Sequence, residues 1–487
     1  MKIEGEELED LLRMAIEYAN QLGATYSEAR FQSDIYETTI LKNGIHEVSA
    51  KDQFMGISVR VLYKNALGFA ATNIISQNEV RELVERAIHI ASATSSLIKS
   101  GITMGKGELG CNVKIEIKPR IKFDCVDYDS RIQLLKEVDE FAKDGAEKIG
   151  VKLPARMLTI DTLITEKLLI TSDGVYAYSK IPRVAFNFFL TAYDSQKGTA
   201  QRYGNLGESL GWEAVERWDL PKLLHEESLS LSKVVKEAKK PPTDELDVIL
   251  GPEVVGIVCH ESCGHPSEAD RILGREAAQA GETYLDMDSI GKRVGSEVIN
   301  VVDDPTLPKS FGFYLYDDEG VKARKRVLIK NGVINEFLHN RETASVFNLE
   351  SNASSRSVAY NREPIIRMAN TFLEPKDYSF EELIKDVRHG VYIKNFMEWN
   401  IDDKRFHQRY VGLEAYQIEN GELKEMVRNP VLELTTIGLW SAIDAVGKDL
   451  EFQAAYCGKG DPMQGIPVWT GGPHVRLRKV RLSGVSL

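Results

Sequence analysis

The sequence predicts an α+β protein in two parts, on three observations. These are amphipathic helical stretches early in the chain, alternating apolar and polar runs cut by tight-turn dipeptides, and a charged, proline-containing break near the middle. Its 487 residues exceed what one ordinary core encloses and suit two or three domains. With 43% hydrophobic and 28% charged residues, the chain belongs with globular proteins and not with disordered or fibrous ones.

Leu8, Leu11, Leu12, Ile16 and Ala19 recur at helical spacing, which predicts a helix over 5–22. Residues 28–72 alternate, broken at Asn43-Gly44 and Lys64-Asn65, as antiparallel hairpins do. A second helix is expected over 79–93, followed by a Gly-rich loop over 99–111. The order then recurs: a helix over 130–149, strand-like runs at 157–164, 168–181 and 183–193, and a helix over 220–238. The reading is an N-terminal α/β domain over 1–241, with an antiparallel sheet, flanking helices and a layout compatible with an old duplication. Lys239, Lys240, Pro241 and Pro242 mark its end. The second domain, 242–487, opens with a strand at 246–250 and is rich in β-branched runs, with hairpin turns at Asn331-Gly332 and Asn420-Gly421. Two helices are expected in it, over 260–280 and 379–386, in a mostly antiparallel β domain.

The formal charge of −12, from 73 acidic against 61 basic side chains, argues against direct nucleic-acid binding as the main role. Four cations at 476–481 read as a solvated terminal strand. The start is acidic and helix-patterned, without a secretory signal, and no stretch reaches the ~20 apolar residues of a membrane span. A cytoplasmic protein is expected. Five cysteines do not form a disulfide framework, so reduced thiols available to a metal are the default.

The strongest chemical signal is Cys259-His260-Glu261-Ser262-Cys263-Gly264-His265, an HExxxH arrangement. In HExxH the histidines face one side of a helix. Here they are five apart, and at ~3.6 residues per turn the second would point about 140° away from the first. A single wide turn with i to i+5 bonding would restore a shared face, and Gly264 would ease a distorted backbone beside His265. Cys457, within Tyr456-Cys457-Gly458-Lys459-Gly460, supplies a third soft donor. Two imidazoles and a thiolate make a reasonable zinc set with one position left for water.

The HExxxH run, the Cys-Gly-Lys segment with Pro467 and Gly471-Gly472 after it, and the intervening Tyr360, Pro364, Arg367, Asn370 and Thr371 together resemble the TldD/PmbA family, also called modulators of gyrase. The resemblance implies a metallopeptidase acting on small or unfolded peptides, with one zinc ion per chain held by His260, His265 and Cys457, and with Glu261 essential to proteolysis. It also implies a dimer, either a homodimer or a pair with a TldE/PmbA-like subunit that lacks the metal residues. This chain retains them all, so it is expected to be the catalytic partner. Ser262-Cys263 and Pro266 depart from the small apolar residues and glycine expected there, which makes Cys259 and Cys263 rival thiols.

Zinc would acidify a water and polarise a peptide carbonyl, with Glu261 as general base. Glu268, three residues beyond His265, is placed to orient that imidazole. Arg356, Tyr360 and Arg367 are candidates for a substrate carboxylate or an oxyanion. His339, His389, His407 and His474 lack metal-like spacing. The alternative is a non-catalytic binding or assembly subunit with a closed structural site, completed by Cys263 or Glu268. A thiol redox role for Cys259 and Cys263 ranks last, since their spacing is not CxxC.

Overall fold

A computed structural model describes residues 5–98, 100–276 and 281–484. In the first part, α1 (Gly5–Gln21) leads into β1 (Tyr26–Lys42), β2 (Ile45–Tyr63) and β3 (Ala66–Thr72), then α2 (Gln77–Thr94). Asn43 and Gly44 both take positive φ, 52° and 78°, which suits a two-residue turn whose twist matches the strands. After β4 (Val113–Glu116) the pattern recurs as α3 (Tyr128–Glu147), β5 (Lys152–Thr171), β6 (Tyr176–Asp194), β7 (Gly198–Glu208), the short α4 (Glu213–Arg217) and α5 (Leu220–Glu237). β1 and β5 pair antiparallel, joining the halves in one seven-stranded sheet.

Each half of the sheet buries its own helix pair. α1 and α2 cover Phe31, Ile57, Val59 and Ile170 with Leu12, Ile16, Leu83 and Ala87. α3 and α5 cover Leu158, Ile160, Phe186 and Leu190 with Leu135, Val138, Leu224 and Leu231. Sequence periodicity did not reveal β7, whose residues 198–208 are rich in glycine and polar side chains. Residues 100–111 form the expected loop, crossed by one isolated bridge from Leu109 to Val321; Lys99 lies outside the described residues.

The second part holds a nine-stranded and a six-stranded sheet. Both are mainly antiparallel, each with one parallel pair, Glu245–Leu250 with His389–Ile393 and Asn370–Leu373 with Gln464–Gly472. Asn331-Gly332 and Asn420-Gly421 turn hairpins with positive φ at both residues, as expected.

The helix expected over 260–280 is relocated. It begins earlier, as α6 (Pro252–Cys259), because Pro252 presets φ for a first turn and lacks only an N–H that would be orphaned there. It continues as a π turn at His260–Gly264 and a 3-10 turn at His265–Ser267, and ends with α7 (Ala269–Ile272); 277–280 lie outside the described residues. α8 (Arg341–Val346), α9 (Phe380–Lys385) and α10 (Thr436–Ala442) follow. Of these only α9 was expected; α8 and α10 are helices of six and seven residues begun by the caps Asn340 and Thr435.

α6 lies against Gln464–Gly472, the strand next to the one carrying Cys457. At Gly256 an added Cβ would sit 2.9 Å from Gly471 N, so glycine permits this helix-to-strand approach. Arg202 of β7 forks onto Glu253 in the first turn of α6 at 2.7 and 2.9 Å, tying the helix to the first part of the chain. Arg60 of β2 likewise bridges Glu28 and Glu319 at 2.9 and 2.7 Å, all three nearly fully buried.

Candidate metal centre

The wide turn brings the histidines together. The N–H of His265 donates to the carbonyl of His260, an i to i+5 bond, and the two rings then lie 4.9 Å apart at 82°. Gly264 serves a different purpose from the one the sequence suggested. Its φ of −61° and ψ of −62° are ordinary helical values, so no backbone freedom is used. The requirement is space, since a Cβ there would fall 1.8 Å from Met368 Sδ.

Cys457 reaches the same point from Glu451–Lys459, the edge strand of the six-stranded sheet. Its Sγ lies 3.2 Å from His260 Nε2 and 3.4 Å from His265 Nε2. The three donor atoms lie within 4.8 Å of one another, all buried, and among the described residues no other such group of three appears. A tetrahedral zinc, with Zn–S about 2.3 Å and Zn–N about 2.0 Å, would set sulfur and nitrogen donors roughly 3.5 Å apart, close to both observed separations.

Burial holds both imidazoles below their ordinary pKa, in the neutral, ligating form. Burial pushes the Cys457 thiol up, but His265 and the Arg367 guanidinium beside it outweigh burial and bring the thiol to about 7. Cys259 and Cys263 go the other way: burial raises both well above the usual thiol range, and both pack in the hydrophobic core.

Glu268 is completely buried and accepts from His265 Nδ1 at 3.0 Å, which leaves Nε2 facing Cys457. Burial acts to raise Glu268, but Lys459, His265 and Arg271 hold its carboxyl well below the usual range. Lys459 lies two residues beyond Cys457, hence on the same face of its strand. Its Nζ reaches Glu268 Oε2 at 3.2 Å and both oxygens of Asp270 at 2.7–2.8 Å. Arg271 Nε donates to Glu268 Oε2 at 2.7 Å.

Glu261 meets an unexpected partner. Arg405 Nη1 donates to Glu261 Oε2 at 2.5 Å, from a loop where Arg405 takes a φ of 59° and Thr436 Oγ1 donates to its carbonyl at 2.7 Å. Next to it, Ser262 Oγ donates to Gln408 Oε1 at 2.6 Å.

Of the remaining sequence candidates, Arg367 supports Cys457 from behind, and Arg356 and Tyr360 lie away from the histidines. Arg367 is fully buried and donates to the backbone carbonyls of Gln464 and Cys457, which makes it a brace for the Cys457 hairpin. Arg356 donates to the carbonyls of Met368 and Pro467 at 2.7 and 3.0 Å and lies over the Tyr314 ring. Tyr360 packs over Gly56 of β2. Tyr392 and Asp449 engage His474, and Thr343 engages His339. Arg405, Lys459 and Arg271 are the site residues that sequence reasoning missed; only Lys459, inside the Cys-Gly-Lys segment, carried a visible signal.

A helix broken open around a buried His-His-Cys set, in a domain of two mainly antiparallel sheets, makes a candidate metal centre. Family models described as PmbA/TldA metallopeptidase domain 1, central domain and C-terminal domain match residues 27–91, 121–240 and 243–484. The chain is 31% identical over 451 residues to a metalloprotease of Methanocaldococcus jannaschii, covering 93% of this chain and 95% of that one. It is 28% identical over 493 residues to a zinc metalloprotease TldD homolog of Saccharolobus solfataricus, covering 96% and 99%. In fold it matches TldE from Thermococcus kodakarensis with a TM-score of 0.75 at 17% identity, over 98% of this chain and 100% of that one. The chain belongs to the TldD/PmbA family of metallopeptidases, and within it to the TldD type.

Proposed function

We propose that this chain is a zinc-dependent peptidase that hydrolyses small or unfolded peptides, with His260, His265 and Cys457 as metal ligands and Glu261 as general base. The observation that carries the reading is the convergence of the three buried donor atoms, with Glu261 beside His260. A zinc ion held there would supply an acidified water and a polarised carbonyl. Glu261 takes the proton from the attacking water and returns it to the leaving amine, with Arg405 fixing its carboxylate.

Cys457 lies on an edge strand, so an extended peptide can add to that edge through backbone hydrogen bonds and pass the metal with little side-chain selection. The structural-site alternative needs a fourth protein ligand. Cys263 lies in the core as a neutral thiol, and Glu268 is engaged on the far nitrogen of His265, which favours an open site. The chain is taken as the catalytic member of a dimer, paired with its own copy or with a TldE-like chain.

The test is digestion of an unstructured peptide, the oxidised insulin B chain, by the purified protein with and without a TldE-like partner, read by mass spectrometry. Wild type is expected to cleave, whereas Glu261→Ala keeps its zinc and loses cleavage. Undiminished cleavage by Glu261→Ala in either pairing overturns the reading.

A further inference from the structure

Behind the Cys457 hairpin lies a second cavity, of about 440 Å³, between the sheet of the first part and the six-stranded sheet. None of His260, Glu261, His265 and Cys457 lines it. It borders the hairpin through Tyr456 and Ile466; because neighbouring strand residues face opposite ways, Tyr456 turns towards this cavity while Cys457 turns towards the histidines.

Two arginines and two aspartates around the cavity have no ion-pair partner among the described residues. Arg183 donates to the carbonyls of Phe311 and Phe313 at 2.9 and 3.0 Å, and Arg356 to those of Met368 and Pro467. Both guanidiniums are at least nine-tenths buried, and among the described residues neither has a carboxylate within salt-bridge distance. On the first-part sheet, which also carries Arg183 on β6, Asp34 accepts from Thr165 and Gln32, and Asp161 from Tyr36 and Asn187, at 2.6–3.0 Å. Among the described residues no lysine or arginine pairs with either carboxylate. Lys167 and Asp318, also in the wall, neutralise each other at 2.8 Å.

Charges held away from water without a counter-ion are costly, and here both arginines and Asp34 are buried and Asp161 is half-buried. Apart from the Lys167–Asp318 pair and Asp317, whose carboxylate accepts from the backbone N–H groups of Glu319, Val321 and Ser355, two cations and two anions line the cavity, which calls for a ligand carrying both signs. A phosphate would satisfy the arginines but be repelled by the aspartates; a simple amine would do the reverse. We propose that this cavity binds the free zwitterion of a short peptide, its carboxylate on Arg183 and Arg356 and its ammonium on Asp34 and Asp161. Tyr36, Phe54 and Tyr456 provide an aromatic wall for a side chain, and the volume is within the usual range for small-ligand sites. This is a second site, independent of the catalytic reading.

The experiment is isothermal titration calorimetry of the full chain carrying Glu261→Ala, so that no turnover intervenes, with the dipeptide Ala-Phe, N-acetyl-Ala-Phe and Ala-Phe amide. Ala-Phe is expected to bind and each capped form to bind at least about tenfold more weakly, as loss of one charged hydrogen-bonded contact implies. Binding is expected to survive removal of metal by chelation and to be lost in Arg356→Gln and Asp161→Asn. If Arg356→Gln does not fold, Asp161→Asn, which removes only a charge, decides. No binding of Ala-Phe, equal binding of either capped form, binding abolished by chelation, or binding unchanged in Asp161→Asn overturns the proposal. Failure of peptide cleavage by wild type leaves these readouts unaffected, so the two readings fail separately.

Discussion

Arg405 holds Glu261 across 144 residues of chain, Nη1 to Oε2 at 2.5 Å. A charge-assisted bond of this length fixes the carboxylate's direction, and that fixing is what a general base beside a metal needs. Arg405→Ala is therefore expected to lower kcat/KM about tenfold, or ~1.4 kcal/mol of transition-state stabilisation, while metal content stays unchanged. Unaltered kinetics, or co-purified metal lost along with activity, would contradict this assignment.

Glu268 acts through His265. Glu268→Gln keeps the shape but removes the charge that orients the imidazole and balances Lys459 and Arg271. Metal affinity, measured by competition with a chelating dye, is expected to fall about 10- to 100-fold. Affinity within about twofold of wild type would mean that the contact does not serve the metal.

The wide turn depends on space beside Met368. Gly264→Ala places a methyl 1.8 Å from Met368 Sδ in a buried site, and overpacking of this kind costs about 1–3 kcal/mol. Urea unfolding of the metal-free protein should show that loss. No change in midpoint would show that Met368 swings aside freely.

His339 makes stability depend on pH. It is nearly fully buried, and burial depresses its pKa from the ordinary 6.5 to about 4. The unfolded chain therefore binds a proton at a pH where the folded chain does not. The contribution is complete above about pH 6.5 and is lost as pH falls towards 4, about 2 kcal/mol of it by pH 5. Thermal melts of wild type at these pH values should show the slope, and His339→Gln should flatten it. A variant with the same slope as wild type would assign the effect to other groups.

What could be read from the chain reflects how local each signal is. The i to i+5 turn followed from the spacing of His260 and His265 alone, because two ligands can share a metal only if the helix widens between them. Glu268 was visible because it sits on the next turn. Arg405 was not: it arrives from a loop between strands, and nothing in its neighbourhood marks it. Gly264 was noticed for the wrong reason, since the contact that demands glycine, with Met368, is long-range. Arg367 looked like a substrate binder, yet it is sealed against the carbonyl of Cys457. β7 escaped because a polar, glycine-rich strand has few apolar repeats to stand out, and α8 and α10 span only six and seven residues.

The central claim is an open metal site of two histidines and one cysteine. X-ray absorption at the zinc edge of the purified, zinc-loaded chain tests it most directly. The account predicts one sulfur neighbour at about 2.3 Å and nitrogen or oxygen neighbours at about 2.0 Å, with the sulfur shell lost in Cys457→Ser and kept in Glu261→Ala. Two sulfur neighbours, or a sulfur shell that persists in Cys457→Ser, would contradict it and point to a closed structural site built on another thiol.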